Sequence, residues 1–330
     1  MILAGDIGGT KTHIGLFQQG KRRPRLRVLE TYPSRAATGL DELVNAFLKD
    51  HPSRIAAACF GVAGPVVNGV CRTTNLPWMV SEARIARVIR GERVLLLNDL
   101  AATAWALPLL SGRELHALNR PRPKKDQNSV LLAPGTGLGI ALIIAGEKDR
   151  TPVPSEGGHV DFAPREESHI ELWRYLCRRF GHASIERVLS GPGLVHIYTW
   201  LRDSGRYRES ARIGNLLREE DPARAISEAA LAGGPALCME ALRIFVDLLG
   251  AAAGNLALTG MATGGVYLGG GIPPKILPFL REGPFLEAFA DKGRFRPLLE
   301  RISVRVILNE RAALLGAARA AADSLEGTTV

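Results

Sequence analysis

The chain has 330 residues, which corresponds to about two domains at roughly 150 residues each. Hydrophobic residues make up 46% and charged residues 23%, so the chain is globular, and it is long enough to fold without a disulfide or metal staple. Its 36 glycines exceed the roughly 23 expected at the usual share of about 7%, and its net charge is +9. Both excesses require a local explanation.

Several classes of protein are excluded by the remaining composition. The four cysteines contain no C-x-x-C pair, which argues against a disulfide framework and a clustered zinc site and favours reduced thiols in a cytoplasm. The first ten residues lack a basic segment and Asp6 interrupts their apolar run, so no signal peptide is expected. Glycine, proline or aspartate interrupts every long apolar stretch, and no membrane span is predicted.

The positive charge does not indicate a nucleic-acid partner. Its densest patches are residues 21–27 and 120–125, and aromatic residues, only 6% of the chain, do not alternate with them. Stacking platforms for bases would require such alternation. Solvated loops with a basic bias are therefore the favoured interpretation.

In the first half of the chain, strands and helices alternate. Residues 2–5 and 12–17 are apolar strands joined by the glycine turn 6–10, which predicts a β-hairpin. The further predicted elements are a strand at 26–32, a helix with apolar positions Leu43, Val44, Phe47 and Leu48 behind a capping box at Thr38 and Asp41, a strand at 54–62, a helix at 81–89, a strand at 94–97 and a helix at 101–107. This alternation indicates α/β layers.

A second hairpin, residues 129–133 and 139–145 around Gly135 to Gly137, suggests a duplicated unit, and residues 111–128 read as the linker before it. The later predicted elements are a helix with the apolar stripe Ile170, Trp173, Cys177 and Phe180, a short helix at 184–189 capped by Ser184, a buried helix at 235–258, strands at 266–268 and 302–308, and a helix at 312–322. The final strand and helix could return to complete the first domain.

The glycine turns are the first candidates for chemistry. Asp6-Ile7-Gly8-Gly9-Thr10 could bring backbone N–H groups close to phosphates, with Asp6 holding magnesium through water, or it could be an ordinary hairpin turn. A second turn at Gly135-Thr136-Gly137 favours phosphate binding, since two facing loops could clamp a triphosphate. Neither a P-loop nor a Rossmann fingerprint is present.

Polar residues at predicted strand and helix ends have two interpretations each. Asn98 and Asp99 could cap a helix, and Asp99 could also accept a proton from an attacking hydroxyl. Spacing alone makes His159 a satisfied histidine and Glu186 a favourable first-turn acid. The glycines at 264–265 and 269–271 could let an adenine or ribose lie on the backbone, or could form a tight corner.

Taken together, these residues resemble the bacterial glucokinase family of the non-ROK type, from about Ala4 to Gly316. The most specific motifs are residues 5–10, 97–99, 135–139 and 156–164, and residues 184–194, 254–258 and 291–295 are also similar. The order of the motifs and the two longer runs, 156–164 and 184–194, carry the resemblance.

The resemblance implies an α/β protein with the two-domain actin-like ATPase (ribonuclease H-like) fold and an interdomain cleft. Residues 1–110 plus 300–330 would form a small domain and residues 111–299 a large one. The implied activity is ATP-dependent phosphorylation of glucose at its 6-hydroxyl, with Asp99 as general base and Mg²⁺ near Asp6. The implied sugar ligands are Asn98, Asp99, Glu156, His159 and Glu186. The implied ATP-binding residues are Gly5, Asp6, Ile7, Gly8, Gly9, Thr10, Gly135, Thr136, Gly137, Gly269, Gly270 and Gly271.

Two departures from related families matter. Lys11 stands where these glucokinases tend to have a neutral polar residue, and it could reach the phosphates or face solvent. The zinc motif of ROK kinases is missing after His159, so no zinc is expected. The alternatives are a related hexose kinase of broader or different specificity and a non-catalytic sugar sensor, although no DNA-binding segment is expected before the hairpin that begins at Ile2. A cytoplasmic homodimer without nucleic-acid or membrane partners is expected.

Overall fold

The computed structural model describes residues 1–91, 93–146 and 150–326. The chain divides into two units. The first contains Met1–Glu114, Thr151–Pro154 and the chain from Asn309 onward, and the second contains Leu115–Arg150 and Ser155–Leu308. The final segment of the chain therefore belongs to the unit that the N-terminal segment begins.

The elements follow in chain order. The strands of the described residues are β1 (Ile2–Ile7), β2 (Lys11–Gln18), β3 (Arg25–Pro33), β4 (Ala57–Val62), β5 (Val66–Val67), β6 (Val70–Arg72), β7 (Met79–Ser81), β8 (Val94–Asn98), β9 (Leu115–Ala117), β10 (Ser129–Pro134), β11 (Leu138–Ala145), β12 (Arg150–Ser155), β13 (Gly265–Leu268) and β14 (Val304–Ile307). The helices are α1 (Leu40–Asp50), α2 (Glu82–Ile89), α3 (Asp99–Ala106), α4 (Glu167–Phe180), α5 (Gly191–Asp203), α6 (Ala211–Glu219), α7 (Pro222–Leu231), α8 (Ala236–Thr259), α9 (Leu277–Glu282), α10 (Phe285–Ala290), α11 (Arg296–Leu299) and α12 (Ala312–Leu325).

The first unit is built on a sheet with the order β3-β2-β1-β4-β8. Strands β1 and β2 form the predicted antiparallel hairpin, and β1, β4 and β8 run parallel. Both faces of β1 are buried because helices cover the sheet on both sides. Leu3 and Ile7 pack with residues of α1 and α2, whereas Ile2 and Ala4 pack with α12.

The second unit repeats this arrangement. Its neighbouring strands follow the order β11-β10-β13-β14-β9, and β12 contributes Thr151–Pro154 to the first unit. Strands β10 and β11 form an antiparallel hairpin, while β10, β13 and β14 run parallel. Each unit thus places a hairpin beside two parallel strands, as the prediction of a duplicated unit requires. The predicted buried helix is α8, which packs in the core of this unit.

The predicted capping box before α1 is wrong by one position. The backbone N–H and the hydroxyl of Thr38 both donate to the carboxylate of Glu42, at 2.8 and 2.9 Å, and Asp41 does not take this role. Gly39 occupies the N-cap position without a side-chain hydrogen bond. The pairing with Glu42 starts the helix at Leu40, one residue later than a box closed by Asp41 would.

The apolar stripe predicted on α4 is wrong at Trp173, whereas Cys177 and Phe180 pack partly buried against the core. The buried positions of this helix are His169, Leu172 and Leu176, whereas Trp173 is 39% exposed. Burial of a histidine shifts the inward face by one residue. A hydrophobicity pattern that counts histidine as polar cannot detect this shift.

Candidate active site

The first glycine turn joins β1 to β2. Gly5, Asp6 and Ile7 are the last residues of β1, and the N–H of Gly8 donates to the carbonyl of Lys11 at 3.0 Å. The buried hydroxyl of Ser34 donates to the carbonyl of Gly8 at 2.7 Å and lies 2.9 Å from the Thr12 hydroxyl. This buried pair of hydroxyls stabilises the turn through the carbonyl of Gly8. Thr10 and Lys11 are exposed beyond it.

Asp6 and Asp99 lie at the carboxyl ends of parallel strands in the first unit. Asp6 is level with Gly61 of β4, and Gly61 is level with Leu97 of β8, two residues before Asp99. A side chain at Gly61 would place its Cβ 3.0 Å from Ala102 Cβ and 3.7 Å from Asp99 Cα. Glycine at this position therefore lets α3 begin close to the sheet, and the two acids share one edge.

Asp6 has a pKa well above its ordinary value. Burial, followed by the negative charge of Asp99, raises the pKa of Asp6 to about 7. A cation beside two such carboxylates would relieve both effects, so the site fits Mg²⁺ held at Asp6. Metal-bound ATP also commonly needs a carboxylate of this kind.

Replacing Asp6 by asparagine is expected to stabilise the free protein at high pH. The folded state binds a proton at Asp6 between about pH 4 and pH 7, where the unfolded chain does not, so wild-type stability falls as pH rises through this window. The variant lacks this loss and should gain about 4 kcal/mol at pH 8. Urea unfolding at pH 4 and pH 8 measures it. An equal pH dependence in both proteins would contradict the assignment.

Asn98 and Asp99 begin α3. The side-chain oxygen of Asn98 accepts a hydrogen bond from Leu100 N at 2.9 Å, which confirms its predicted role as N-cap. Asp99 Oδ1 also accepts from Leu100 N, at 2.8 Å. Both contacts fix the positions of these two side chains at the first turn of α3.

In the second unit, Glu156 and His159 lie on an exposed turn. Residues Gly157–His159 form one turn of 3₁₀ helix. The side chain of Glu156 is 73% exposed and that of His159 is 64% exposed, and Glu156 Oε2 lies 4.0 Å from His159 Nε2. Both side chains are therefore accessible to a polar ligand.

Backbone hydrogen bonds connect this turn to Glu186. Ile185 N donates to Val160 O, and Phe162 N donates to Ala183 O, both at 2.9 Å. The predicted helix at 184–189 is shorter than expected, because Ile185–Arg187 is a single 3₁₀ turn and Ser184 makes no capping bond. The turn nevertheless places Glu186 directly after the paired segment.

Glu186 also contacts the second glycine turn. Its Oε2 accepts a hydrogen bond from Leu138 N at 2.9 Å. A Cβ at Gly137 would lie 2.6 Å from the same oxygen, so a larger residue there would require the Glu186 carboxylate to shift. Sequence spacing gave no signal for this contact, because Glu186 is 49 residues from Gly137.

The glycines at 269–271 lie beside the same turn. Gly135 N donates to Gly137 O at 2.8 Å, and Ile272 N donates to Pro134 O at 3.4 Å. Gly270 has φ +78° and approaches Pro134 O so closely that a Cβ would lie 2.5 Å from it. The second unit therefore brings together Gly135, Thr136, Gly137 and the glycine run that follows β13.

Gly264 and Gly265 do not join this group. Gly264 directly precedes β13 and Gly265 is its first residue, whereas residues 269–271 follow the strand, and Gly264 N donates to Asn128 O at 2.8 Å. Gly265 has φ +122°. Of the two interpretations of this pair, the structure supports the tight corner.

Other potential sites lie apart from these residues. An open cavity of about 790 Å³ in the first unit is lined by the turn between β2 and β3 and the start of α12, and it includes no predicted site residue. Among the described residues, no group of three or more His, Cys, Asp or Glu side chains could hold a metal ion. No helix of the described chain is long and apolar enough to cross a membrane.

Comparison with known proteins first defines the class. The chain superposes on the crystal structure of a ROK family glucokinase from Streptomyces griseus, determined with glucose and AMPPNP, with a TM-score of 0.67 at 21% identity, covering 98% of this chain and 99% of that one. It superposes on a glucokinase from an Antarctic psychrotroph with a TM-score of 0.87 at 30% identity, covering 98% of each chain. The fold is that of the sugar kinases with the actin-like ATPase architecture.

The particular family follows from sequence. The Glucokinase family model matches residues 3–324. A glucokinase from Synechocystis sp. is 40% identical over 347 residues, covering 98% of this chain and 98% of that protein. The chain therefore belongs to the glucokinase family, as the motif order predicted.

Proposed function

We propose that this protein transfers the γ-phosphoryl group of ATP to the 6-hydroxyl of glucose, giving glucose 6-phosphate and ADP. The observation that carries the proposal is the pair Asp6 and Asp99 at one sheet edge, beside a glycine turn, in a chain that matches glucokinases along its length. Phosphoryl transfer requires such positioned groups more than covalent chemistry.

Asp99 is the general base of this proposal. It accepts the proton of the 6-hydroxyl as the oxygen attacks the γ-phosphorus. The hydrogen bond from Leu100 N fixes the position of its carboxylate at the start of α3.

The glycine turns bind the ATP phosphates in this proposal. Backbone N–H groups of the turn at residues 6–10 and of the turn at 135–137 would donate to the phosphate oxygens, and the run at 269–271 would contact the adenosine. Mg²⁺, held at Asp6, supplies neutralisation of the phosphate charge when bound. The buried Ser34 keeps the first turn in position.

The sugar is bound by hydroxyl-accepting side chains. Asn98 and Asp99 of the first unit, and Glu156, His159 and Glu186 of the second, hydrogen-bond its hydroxyls. The glucose in the Streptomyces griseus structure supports a hexose as the ligand of this fold. The site of phosphorylation is tested by phosphorus NMR of the product, which should show phosphate on O6 of glucose and none on O1.

Replacing Glu186 by glutamine is expected to raise the KM for glucose about tenfold and to change the KM for ATP less than twofold. The amide keeps an acceptor for Leu138 N but loses the charge-assisted bond to a sugar hydroxyl. Steady-state kinetics in each substrate measures the split. Glu228→Gln, which changes an exposed acid paired with Arg224, is the control. Equal effects on both KM values would contradict this role.

We expect the enzyme to act in the cytoplasm as a homodimer. Its free cysteines suit a reducing compartment, since Cys59, Cys71 and Cys238 are buried and unpaired. Light scattering of the purified chain tests the dimer directly.

A further inference from the structure

Arg165 directly follows the segment of residues 156–164, which carries Glu156 and His159. Its guanidinium donates to Asp247 Oδ2 at 3.1 Å and to Asp291 Oδ2 at 2.6 Å. The Arg165 side chain is only 24% exposed and that of Asp247 only 18%. One half-buried guanidinium thus fastens the end of this segment to two carboxylates.

The two carboxylates lie within and directly after two helices that pack closely against each other. Asp247 lies within α8, and Asp291 directly follows α10. At Gly254 of α8, a Cβ would overlap the carbonyl of Phe289 and would lie 2.8 Å from Lys292 Cε. The absence of a side chain lets α10 pack directly on α8, so the positions of both carboxylates are determined by one close helix contact.

This arrangement explains two motifs that contain no proposed ligand of sugar or ATP. Residues 254–258 include the glycine that admits α10, and residues 291–295 begin with the carboxylate that Arg165 contacts. Their shared feature is the support of Arg165.

The same cluster also contacts the segment of residues 156–164 through His169. His169 is 2% exposed, its Nε2 lies 3.7 Å from Asp247 Oδ2, and its ring packs near that of Phe162 at 6.4 Å between centroids. Burial lowers the pKa of His169, whereas the hydrogen bond from Arg165 gives Asp247 a positively charged partner. Phe162 in turn pairs with Ala183, three residues before Glu186.

We propose that Arg165, held between Asp247 and Asp291, is a positioning residue for the sugar site. It fixes the end of the 156–164 segment, and through the pairing of Phe162 with Ala183 it sets the positions of His159 and Glu186 for the sugar hydroxyls. This inference rests on the proposed function, which assigns those side chains to glucose.

The test is glucose binding by isothermal titration, which needs no turnover, together with kinetics in both substrates. Arg165→Met removes the charge and keeps the length of the side chain, and it should weaken glucose binding about tenfold while the KM for ATP changes less than twofold. Arg165→Lys keeps one charged contact, and its glucose affinity should lie between those of wild type and Arg165→Met. Arg224→Met removes an exposed arginine of the same unit that pairs with Glu228 at 2.7 Å, and it should match wild type.

A second variant keeps the test valid if Arg165→Met folds poorly. Asp291→Asn removes the negative charge of one partner of Arg165, at a side chain that is 53% exposed, and it should weaken glucose binding about threefold. Two results would overturn this inference and leave the proposed function standing. One is a glucose affinity within twofold of wild type in folded Arg165→Met, and the other is an equal loss of affinity for glucose and ATP. A wild-type protein that neither binds nor phosphorylates glucose would overturn the proposed function as well.

Discussion

Asp99→Asn should lower kcat by between about 100-fold and 10,000-fold, because the variant has no group to accept the proton of the attacking hydroxyl. Its affinity for glucose should stay within about threefold of wild type. The amide oxygen can still accept the hydrogen bond from Leu100 N, and Asn98 still caps α3, so the helix and the site around it should persist. Single-turnover kinetics and glucose titration measure the two effects separately.

The control for this variant is Glu114→Gln, which changes an acid of the same unit that pairs with Arg23 at 2.7 Å. It should leave kcat within about twofold of wild type. A near-normal kcat in Asp99→Asn would remove Asp99 from the role of base. A loss of glucose binding equal to the loss of kcat would make it a sugar ligand only.

Gly316→Ala should destabilise the protein by about 3 kcal/mol, although alanine is favoured over glycine in helices by about 1 kcal/mol. A Cβ at this position of α12 would overlap the carbonyl oxygen of Ala102 and lie 2.9 Å from Ala106 N, both on α3. The two helices would have to separate. Because Asp99 begins α3, kcat should fall about tenfold or more in the same variant.

Gly112→Ala is the matched control, since a Cβ there meets no atom within 4 Å. Its stability and kcat should equal those of wild type. Urea unfolding and steady-state kinetics of the two variants give the comparison. A Gly316→Ala protein as stable as wild type would show that α12 and α3 do not pack as closely as described.

The fold followed from local pattern wherever the pattern was strong. The two hairpins were predictable because apolar runs flank glycine turns, and α8 was predictable because it is apolar nearly all round. The failures were at element ends and faces. Thr38 donates to Glu42 instead of Asp41, and His169 is on the buried face of α4. Hydrophobic spacing indicates neither of these outcomes.

The candidate site was less predictable because it depends on contacts between distant segments. Glu186 received its proposed role only from family resemblance, since its contact with Leu138 joins residues 48 apart. Ser34 gave no signal at all. The sequence does contain a signal at Gly61, because an isolated glycine inside a buried strand indicates the close approach of another backbone. Here that backbone belongs to α3.

The glycine excess now has physical causes at particular positions. Gly61 and Gly316 allow α3 to pack closely, and Gly254 allows the same for α10. Gly137 lies close to the carboxylate of Glu186. Only part of the excess therefore serves the proposed phosphate turns. The rest allows helices to pack closely enough to hold the site residues.

The most direct test of the account is a coupled ADP-release assay of the purified protein across a panel of hexoses with ATP and Mg²⁺. We expect glucose-dependent ADP release, with kcat/KM for glucose above that for every other hexose tested. Faster turnover of another hexose would contradict the assigned substrate. Glucose binding without any ADP release would contradict the kinase activity itself.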